Sequence, residues 1–163
     1  MTNKKTLFIT EAAVIAAIYT ALVMIFQFSS FGPVQFRIAE ALTILPYFTP
    51  AAIPGLTIGC FLSAVLTPGV HILDMVFGSL ATLIAAILSY RLRRNKYLVP
   101  IPPILVNAII LPWIFKFAYG DAQPVPVMML SVGVSQLLAA GVLGMVLLLA
   151  LDKVKHVVFR NNK

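Results

Sequence analysis

Long apolar runs separated by short polar segments dominate this chain. A helix needs about 20 residues to cross the hydrocarbon core of a bilayer. Four runs approach or exceed this length, at about 7–28, 72–90, 100–118 and 125–151. They contain few charged residues, which is typical of transmembrane helices. The pattern therefore predicts at least four membrane-spanning helices.

One further apolar region, residues 37–67, is too long for a single span. It contains Pro46 and Pro50, and proline removes a backbone donor and bends or ends a helix. We divide the region into two shorter helices over about 37–49 and 52–67. The sequence then predicts an all-α integral membrane protein with six transmembrane helices in a single domain, residues 1–163.

The composition agrees with a membrane protein. Hydrophobic residues make up 61% of the 163 residues and charged residues only 10%, and the mean hydropathy is +1.01. Soluble domains are roughly a quarter charged, and a soluble fold of this size leaves too much surface exposed to hide so many apolar side chains. We therefore expect the chain to lie in a membrane.

The basic residues set the expected orientation. Most of them fall in three clusters: Lys4 and Lys5; Arg91, Arg93, Arg94 and Lys96; Lys153, Lys155, Arg160 and Lys163. Positive charge favours the cytoplasmic side, and six helices place all three clusters on one side, whereas a single span over 37–67 would not. We therefore expect cytoplasmic N and C termini, with the N-terminal apolar run retained as the first span.

Arg37 and Glu40 introduce charge at the start of the second predicted helix. An ionisable group within a span costs about 2.5–3.5 kcal/mol on insertion scales, so it usually has a function. On an α-helix, Glu40, Thr43 and Tyr47 would share one face. Two interpretations are open: an ion pair near the interface, with Arg37 extending to lipid headgroups, or a solute site at the outer end of this helix.

Other polar residues lie within the remaining apolar runs. Asp74 opens the fourth helix, where it either caps the helix or adds a second carboxylate to an outer cavity. Asn107 and Gln136 have equal expected depths, and their amides either bond to each other or form the floor of a pocket. Trp113 is either an interfacial aromatic residue or a residue that stacks on a ligand ring.

Small residues on the first helix suggest close packing. Ala12, Ala13, Ala16 and Ala17 lie at four-residue spacings, which let another helix approach closely. They either pack within the bundle or dock a partner protein.

Several kinds of chemistry have no signature in the sequence. The sequence has no G-x-x-x-x-G-K-[ST] phosphate loop and no His, Cys and Asp cluster at metal-ligand spacing. No nucleophile has an evident base beside it. A net charge of +7 does not indicate nucleic-acid binding either, because no basic groove or aromatic platform lies between the apolar runs. We therefore predict neither an enzyme nor a metal site.

The region from about residue 35 to residue 91 carries a resemblance. Two consecutive stretches resemble the QueT family: VQFRIAEALTILPYFTPAAIPGLTIGCFLSAVLTPG and DMVFGSLATLIAAILSYRLR. Members of this family are proposed importers of queuosine precursors, the substrate-specificity subunits (S components) of energy-coupling factor (ECF) transporters. The resemblance implies a six-helix bundle in a bacterial cell membrane.

The resemblance also implies partners. An S component assembles with one transmembrane coupling protein and two ATPase subunits, so the partners would hydrolyse ATP and this chain would carry no cofactor. S components dock their coupling protein through an Ala-x-x-x-Ala pattern on the first helix. Ala12 with Ala16 and Ala13 with Ala17 both match that pattern.

The implied ligand is a 7-deazaguanine, such as queuine or its aminomethyl precursor. Its guanine-like edge offers adjacent donors, which match a carboxylate, and the aminomethyl group is cationic. Glu40 and Asp74 would divide these two tasks, and Arg37 would hold Glu40 in place. Asn107 or Gln136 would donate to the ring carbonyl.

Aromatic residues would complete this implied site. The ring would stack on Tyr47, Trp113 or Phe36. The loop 28–36 would suit a lid, because it contains a glycine and a proline.

Two other functions remain open. The chain could be a stand-alone, proton-coupled secondary transporter of a small planar polar solute, with the proton on Glu40 or Asp74. It could also be a membrane protein that transports nothing, in which case neutral replacements of these two carboxylates would leave every solute phenotype unchanged.

Overall fold

A computed structural model describes residues 3–26 and 37–158, with side chains as far as residue 155. Within these ranges the chain forms six helices and no strands, which confirms the all-α prediction. We number them α1 Lys4–Ile25, α2 Ile38–Tyr47, α3 Ala52–Leu66, α4 Asp74–Arg91, α5 Ile101–Ala118 and α6, which consists of Val125–Gln136, Leu137–Leu143 and Gly144–Val158 in succession.

The helices fall into two length classes. Among the described residues, α1, α4, α5 and α6 are long and apolar enough to cross a membrane, whereas α2 and α3 are shorter. The division of 37–67 into two short helices is therefore confirmed. Large apolar side chains cover the outside of the bundle; Phe117 is 74% exposed and Leu130 is 71% exposed. Such a surface is suited to contact with lipid.

Helix α2 is wound as a 3₁₀-helix rather than as an α-helix. At its two ends the Glu40 N–H donates to the Arg37 carbonyl at 3.0 Å and the Phe48 N–H donates to the Leu45 carbonyl at 2.9 Å. Pro46 lies inside the helix and has no N–H to give to an α-helical bond. A 3₁₀-helix rises about 2.0 Å per residue, so ten residues reach about 20 Å, where an α-helix would reach about 15 Å.

This winding corrects one prediction. With about three residues per turn, Thr43 stays on the Glu40 face, and its hydroxyl donates to the Glu40 carbonyl at 2.6 Å. Tyr47, seven residues after Glu40, points about 120° away from it. The prediction that Glu40, Thr43 and Tyr47 share one face is therefore wrong.

Helix α2 lies at the centre of the bundle. Residues 39–46 are all buried, and α1, α3, α4 and α6 pack around them. The core next to α2 includes Tyr19 of α1, Leu56 of α3 and Leu148 of α6. The shortest helix therefore occupies the most enclosed position, and the polar groups on its buried residues are shielded from lipid.

Helices α1 and α3 approach each other through glycine. A methyl group added at Gly55 would lie 2.8 Å from the Ala12 carbonyl oxygen, and one added at Gly59 would lie 3.0 Å from the Ala16 carbonyl oxygen. Any larger residue would force the helices apart, as at other close helix crossings in membranes.

This packing divides the four alanines of α1 into two pairs. Ala12 and Ala16 are buried against α3, whereas Ala13 and Ala17 are exposed. Internal packing therefore accounts for the first pair, and the second pair lies on the outer surface of the bundle.

Two helices contain π segments, Asp74–Gly78 in α4 and Leu137–Leu143 in α6. Such segments are frequent at functional sites, since the extra residue rotates the side chains that follow. The α6 segment packs against α2 and directly follows Gln136. Just after it, a methyl group at Gly144 would lie 3.0 Å from Ile44 Cγ2, so α6 passes very close to α2.

Candidate functional site

The carboxylate of Glu40 is the centre of a buried polar cluster. The Tyr19 hydroxyl donates to Oε1 at 2.9 Å, and the Asn107 Nδ2 donates to Oε2 at 3.4 Å. Glu40 and Tyr19 are each 1% exposed and Asn107 is 3% exposed. Both partners act as donors, which suits an ionised carboxylate. Three helices, α1, α2 and α5, thus converge on one carboxyl group.

Arg37 precedes α2 and joins this cluster to a second carboxylate. Its charge interacts with those of both Asp74 and Glu40, and the residue is only 9% exposed. A side chain that extended to lipid headgroups would be exposed, so the structure does not support that interpretation of Arg37.

Asp74 is held by a tyrosine from α5. The Tyr119 hydroxyl donates to Asp74 Oδ2 at 3.1 Å, and the same hydroxyl accepts the His71 backbone N–H at 3.0 Å. A hydroxyl has one proton, and here that proton goes to Asp74. Burial raises the pKa of the Tyr119 phenol above its ordinary value, so it remains a donor at neutral pH.

The capping interpretation of Asp74 is not supported. Asp74 is only 5% exposed and lies inside the first turns of its helix. The side chain that caps these turns is His71, whose Nδ1 accepts the Leu73 N–H at 3.2 Å. The Asp74 carboxylate is therefore available to the interior of the bundle.

Gly78 makes room for the Asp74 carboxylate. A methyl group at this position would lie 3.0 Å from Asp74 Oδ1. Ala81 and Ala85, later on α4, are also buried and small.

The side-chain oxygen of Gln136 is a buried acceptor to which no group in the described residues donates. Within the described part of the chain, its buried Oε1 has no hydrogen-bond partner, and the residue is 2% exposed. Asn107 donates to Glu40 and not to Gln136, so the predicted pairing of the two amides is not observed. A methyl group added at Gly133, one turn before Gln136, would lie 3.7 Å from Ala108 Cβ, next to Asn107. An unsatisfied buried acceptor costs about 1–3 kcal/mol, which a donor from a ligand would recover.

The aromatic candidates lie elsewhere or outside the described residues. Trp113 is 48% exposed and stacks on Phe117 with ring centroids 6.2 Å apart. Tyr47 packs edge-on against Phe48 at 4.8 Å. Phe36 and the loop 28–36 lie outside the described residues, so their predicted roles stay predictions.

Trp113 lines an apolar groove on the outside of α4 and α5. The groove has a volume of about 290 Å³. Its lining consists of Leu73, Phe77, Ile109, Ile110, Trp113, Ile114 and Phe117. A lipid-facing groove of this kind agrees with the interfacial interpretation of Trp113.

Sequence reasoning missed two residues of the cluster, Tyr19 and Tyr119. Each hydroxyl orients one carboxylate. The sequence offered only a weak indication of either residue: Tyr19 is the one tyrosine of α1, and Tyr119 directly follows α5, beside Gly120. A buried tyrosine usually finds a partner for its hydroxyl, so Tyr19 could have been paired with the only carboxylate of α2.

Comparisons with known proteins agree with these features. A family model described as QueT transporter matches residues 9–153. A curated relative, the "Queuosine precursor transporter QueT" of Lactococcus lactis subsp. cremoris (strain MG1363), is 37% identical over 86 residues, which cover 52% of this chain and 50% of the relative. The matched region thus spans about half the length of that relative. No solved structure matches the chain.

Proposed function

Because the chain belongs to the QueT transporter family, we propose that it is the substrate-binding S component of an ECF-type importer. It is a multi-pass bacterial membrane protein. In this proposal it captures a 7-deazaguanine queuosine precursor, such as queuine or its aminomethyl form, on the extracellular side. Both termini lie in the cytoplasm, since the basic clusters would then obey the charge rule.

One observation carries the proposal: the carboxyl group of Glu40 sits inside an apolar bundle with donors from two other helices. A buried charge is costly, so a charged residue kept in such a place usually has a function. Tyr19 and Asn107 hold the carboxylate in one orientation. Adjacent N–H donors on a guanine-like edge could then approach its remaining lone pairs, at little cost in reorganisation.

The unpartnered Oε1 of Gln136 supports a donor-rich ligand. A heterocycle with several N–H groups would satisfy it, whereas an acceptor-rich ligand would leave it unpaired. Recognition of this kind discriminates strongly, because a ligand that lacks the donor leaves buried acceptors unpaired. An adenine-like edge, with its different donor and acceptor order, would bind poorly.

Equilibrium binding to the detergent-purified chain tests the ligand. We expect saturable binding of an aminomethyl- or side-chain-bearing 7-deazaguanine and at least about a hundredfold weaker binding of adenine, on the scale of a lost buried donor. Adenine serves as the control for non-specific uptake into detergent. Absence of saturable binding for every 7-deazaguanine would end the substrate proposal.

The partner proposal rests on the outer face of α1. Ala13 and Ala17 are exposed and would let a helix of the coupling protein approach closely. Replacement of Ala17 by leucine should lower co-purification with the coupling protein and two ATPases while ligand binding stays unchanged. Ala16→Leu is the contrasting variant, since Ala16 packs on Gly59 and the change should destabilise the bundle itself.

Uptake into proteoliposomes separates the proposal from a proton-coupled secondary transporter. The chain alone should bind ligand without accumulating it, and ATP together with the partner proteins should restore uptake. Uptake by the lone chain along a pH gradient would favour the secondary transporter instead.

A further inference from the structure

We propose that the apolar groove on the outside of α4 and α5 binds one anionic phospholipid. An acyl chain of the lipid occupies the groove, and its phosphate group contacts the ammonium group of Lys116. The groove lies outside the Glu40 cluster, so this site is independent of the solute that the cluster binds. The proposal rests on the lining of the groove, on its length and on the charge at one of its ends.

The lining of the groove suits a hydrocarbon chain and not a polar solute. All seven side chains that line it are aliphatic or aromatic. Ile114 is buried, whereas Trp113 is 48% exposed and Phe117 is 74% exposed, so the groove opens to the surface that faces lipid. Its volume of about 290 Å³ lies just below the range of about 300–1,000 Å³ for pockets that enclose a whole small molecule. The groove therefore suits one chain of a lipid rather than a compact molecule.

The groove follows the helices for most of the depth of one leaflet. On α5 its lining extends from Ile109 to Phe117, which is about 12 Å along the helix axis at about 1.5 Å per residue. Leu73 and Phe77, in the first turns of α4, line the other side. Half of a hydrocarbon core of about 30 Å is about 15 Å. An acyl chain that extends inward from the headgroup level would therefore contact the groove over most of its length.

Lys116 supplies a positive charge at the headgroup end of the groove. It lies one turn after Trp113 and beside Phe117 on α5, and residues three apart on a helix are neighbours on its surface. Within the described residues its ammonium group makes one hydrogen bond, to the backbone carbonyl of Asp121 at 2.9 Å. An ammonium group has three donors. Two donors therefore remain for the oxygens of a phosphate group.

The side of the membrane on which Lys116 lies also favours an anion. The end of α5 is opposite the basic segment that joins α4 to α5. Positive charge is favoured on the cytoplasmic side, so in the proposed orientation Lys116 lies on the disfavoured side. The carboxylate of Asp121 accepts the Gln123 backbone N–H at 3.0 Å and is thus engaged in its own turn. An anionic headgroup would supply the counter-charge, whereas a zwitterionic headgroup brings its own cation.

The single tryptophan of the chain allows a direct test. Trp113 is the only tryptophan in the sequence and lines the groove, so tryptophan fluorescence reports on this site alone. The chain is reconstituted in phosphatidylcholine vesicles, and a rising fraction of that lipid is replaced by phosphatidylglycerol or phosphatidylcholine with brominated acyl chains, which quench a neighbouring indole. We expect phosphatidylglycerol to bind about fivefold more tightly than phosphatidylcholine, the effect of one basic side chain on an anionic lipid.

Two pairs of variants test the headgroup and the chain separately. Lys116→Gln should reduce the preference for phosphatidylglycerol to nearly one, whereas Lys4→Gln, at an exposed lysine of α1, should leave it unchanged. Ile109→Phe adds bulk to the groove and should lower the quenching of Trp113 by both brominated lipids. Leu130→Phe, on the exposed surface of α6, is the matched control and should leave the quenching unchanged.

Each contrary result would overturn a stated part of the proposal. Equal binding of the two lipids by the wild-type chain would mean that ordinary boundary lipid covers the groove, and the proposal would fail. A preference that survives in Lys116→Gln would overturn the contact between Lys116 and the phosphate group. Quenching that is unchanged in Ile109→Phe would overturn the placement of the acyl chain. The wild-type comparison needs no variant, so a folding defect in a variant would not leave the question undecided.

Discussion

The two buried carboxyl groups, Glu40 and Asp74, are each held by a tyrosine, but in different surroundings. Each buried carboxylate accepts a tyrosine hydroxyl, Tyr19 at 2.9 Å and Tyr119 at 3.1 Å. Tyr19 is 1% exposed, however, whereas Tyr119 is 45% exposed. One carboxyl group is thus held by a donor buried in the core, and the other by a donor that reaches the surface of the bundle.

The backbone that carries each of the two carboxyl groups also departs from α-helical winding, and one segment is wound more tightly while the other is wound more widely. Glu40 lies in the tighter 3₁₀-helix and Asp74 opens a wider π segment. Both windings turn a side chain away from the direction it would have on a regular helix. Two of the three irregular segments described here, α2 and the π segment of α4, thus carry a buried carboxyl group, where function is expected to outweigh local regularity.

The largest effect should come from neutralising the core carboxylate. Glu40→Gln keeps the shape but turns one acceptor oxygen into a donor facing Tyr19 or Asn107, so we expect at least about a hundredfold weaker ligand binding. Equilibrium binding measures this, with the thermal midpoint in detergent as a check on folding. Asp121→Asn provides the matched control, and a Glu40→Gln protein that binds within threefold of wild type would contradict the central role of Glu40.

The contributions of the two tyrosines to ligand affinity should follow the order of their burial. Tyr19→Phe removes the donor from a sealed carboxylate, and we expect about tenfold weaker binding; Tyr119→Phe acts at a half-exposed position where water can substitute, and we expect about threefold. Binding affinities of the two single variants check the order. A larger loss of affinity in Tyr119→Phe would mean that the pair of Tyr119 and Asp74, and not the buried pair of Tyr19 and Glu40, dominates recognition.

A smaller effect is expected at Gly78. Gly78→Ala would place a methyl group 3.0 Å from Asp74 Oδ1, so the carboxylate must shift by a few tenths of an ångström. We expect about threefold weaker ligand binding, measured by equilibrium titration. Ala81→Gly, further along α4, should leave the affinity unchanged and controls for general loosening of the helix. Unchanged ligand binding in Gly78→Ala would contradict a role for the Asp74 carboxyl group in binding.

The smallest effect should follow changes at Trp113. Its ring stacks on Phe117 in the outer groove and makes no contribution to the Glu40 cluster in this arrangement. Trp113→Phe should change ligand affinity by less than about twofold, since substitutions at half-exposed positions away from a site have small effects. A titration of the variant checks this, and a tenfold loss would restore the sequence-based interpretation that Trp113 stacks on the ligand.

The sequence singled out most of the buried polar residues for a simple reason. In a chain with so few polar groups inside its apolar runs, each one costs free energy, so Glu40, Asp74, Asn107 and Gln136 could be singled out without knowing which helices pack together. All four are buried. The sequence could not select among the aromatic residues in the same way, because a tryptophan or tyrosine costs little at a lipid surface.

Helix winding limited what could be predicted about orientation. Faces were assigned with 3.6 residues per turn, which was wrong for Tyr47 on the 3₁₀-helix. The sequence carried a warning in Pro46, since proline removes the donor that an α-helical turn would use.

Hydropathy and charge along the chain determined the membrane class, the number of helices and the presence of a polar interior, because each depends only on local composition and on the thickness of a bilayer. Tertiary packing decided which alanines face α3, which tyrosine holds which carboxylate, and that Arg37 lies near both acids. Those contacts join residues far apart in the sequence, such as Glu40 and Asn107. Their distances depend on how short and long helices pack around one another, which no local pattern encodes.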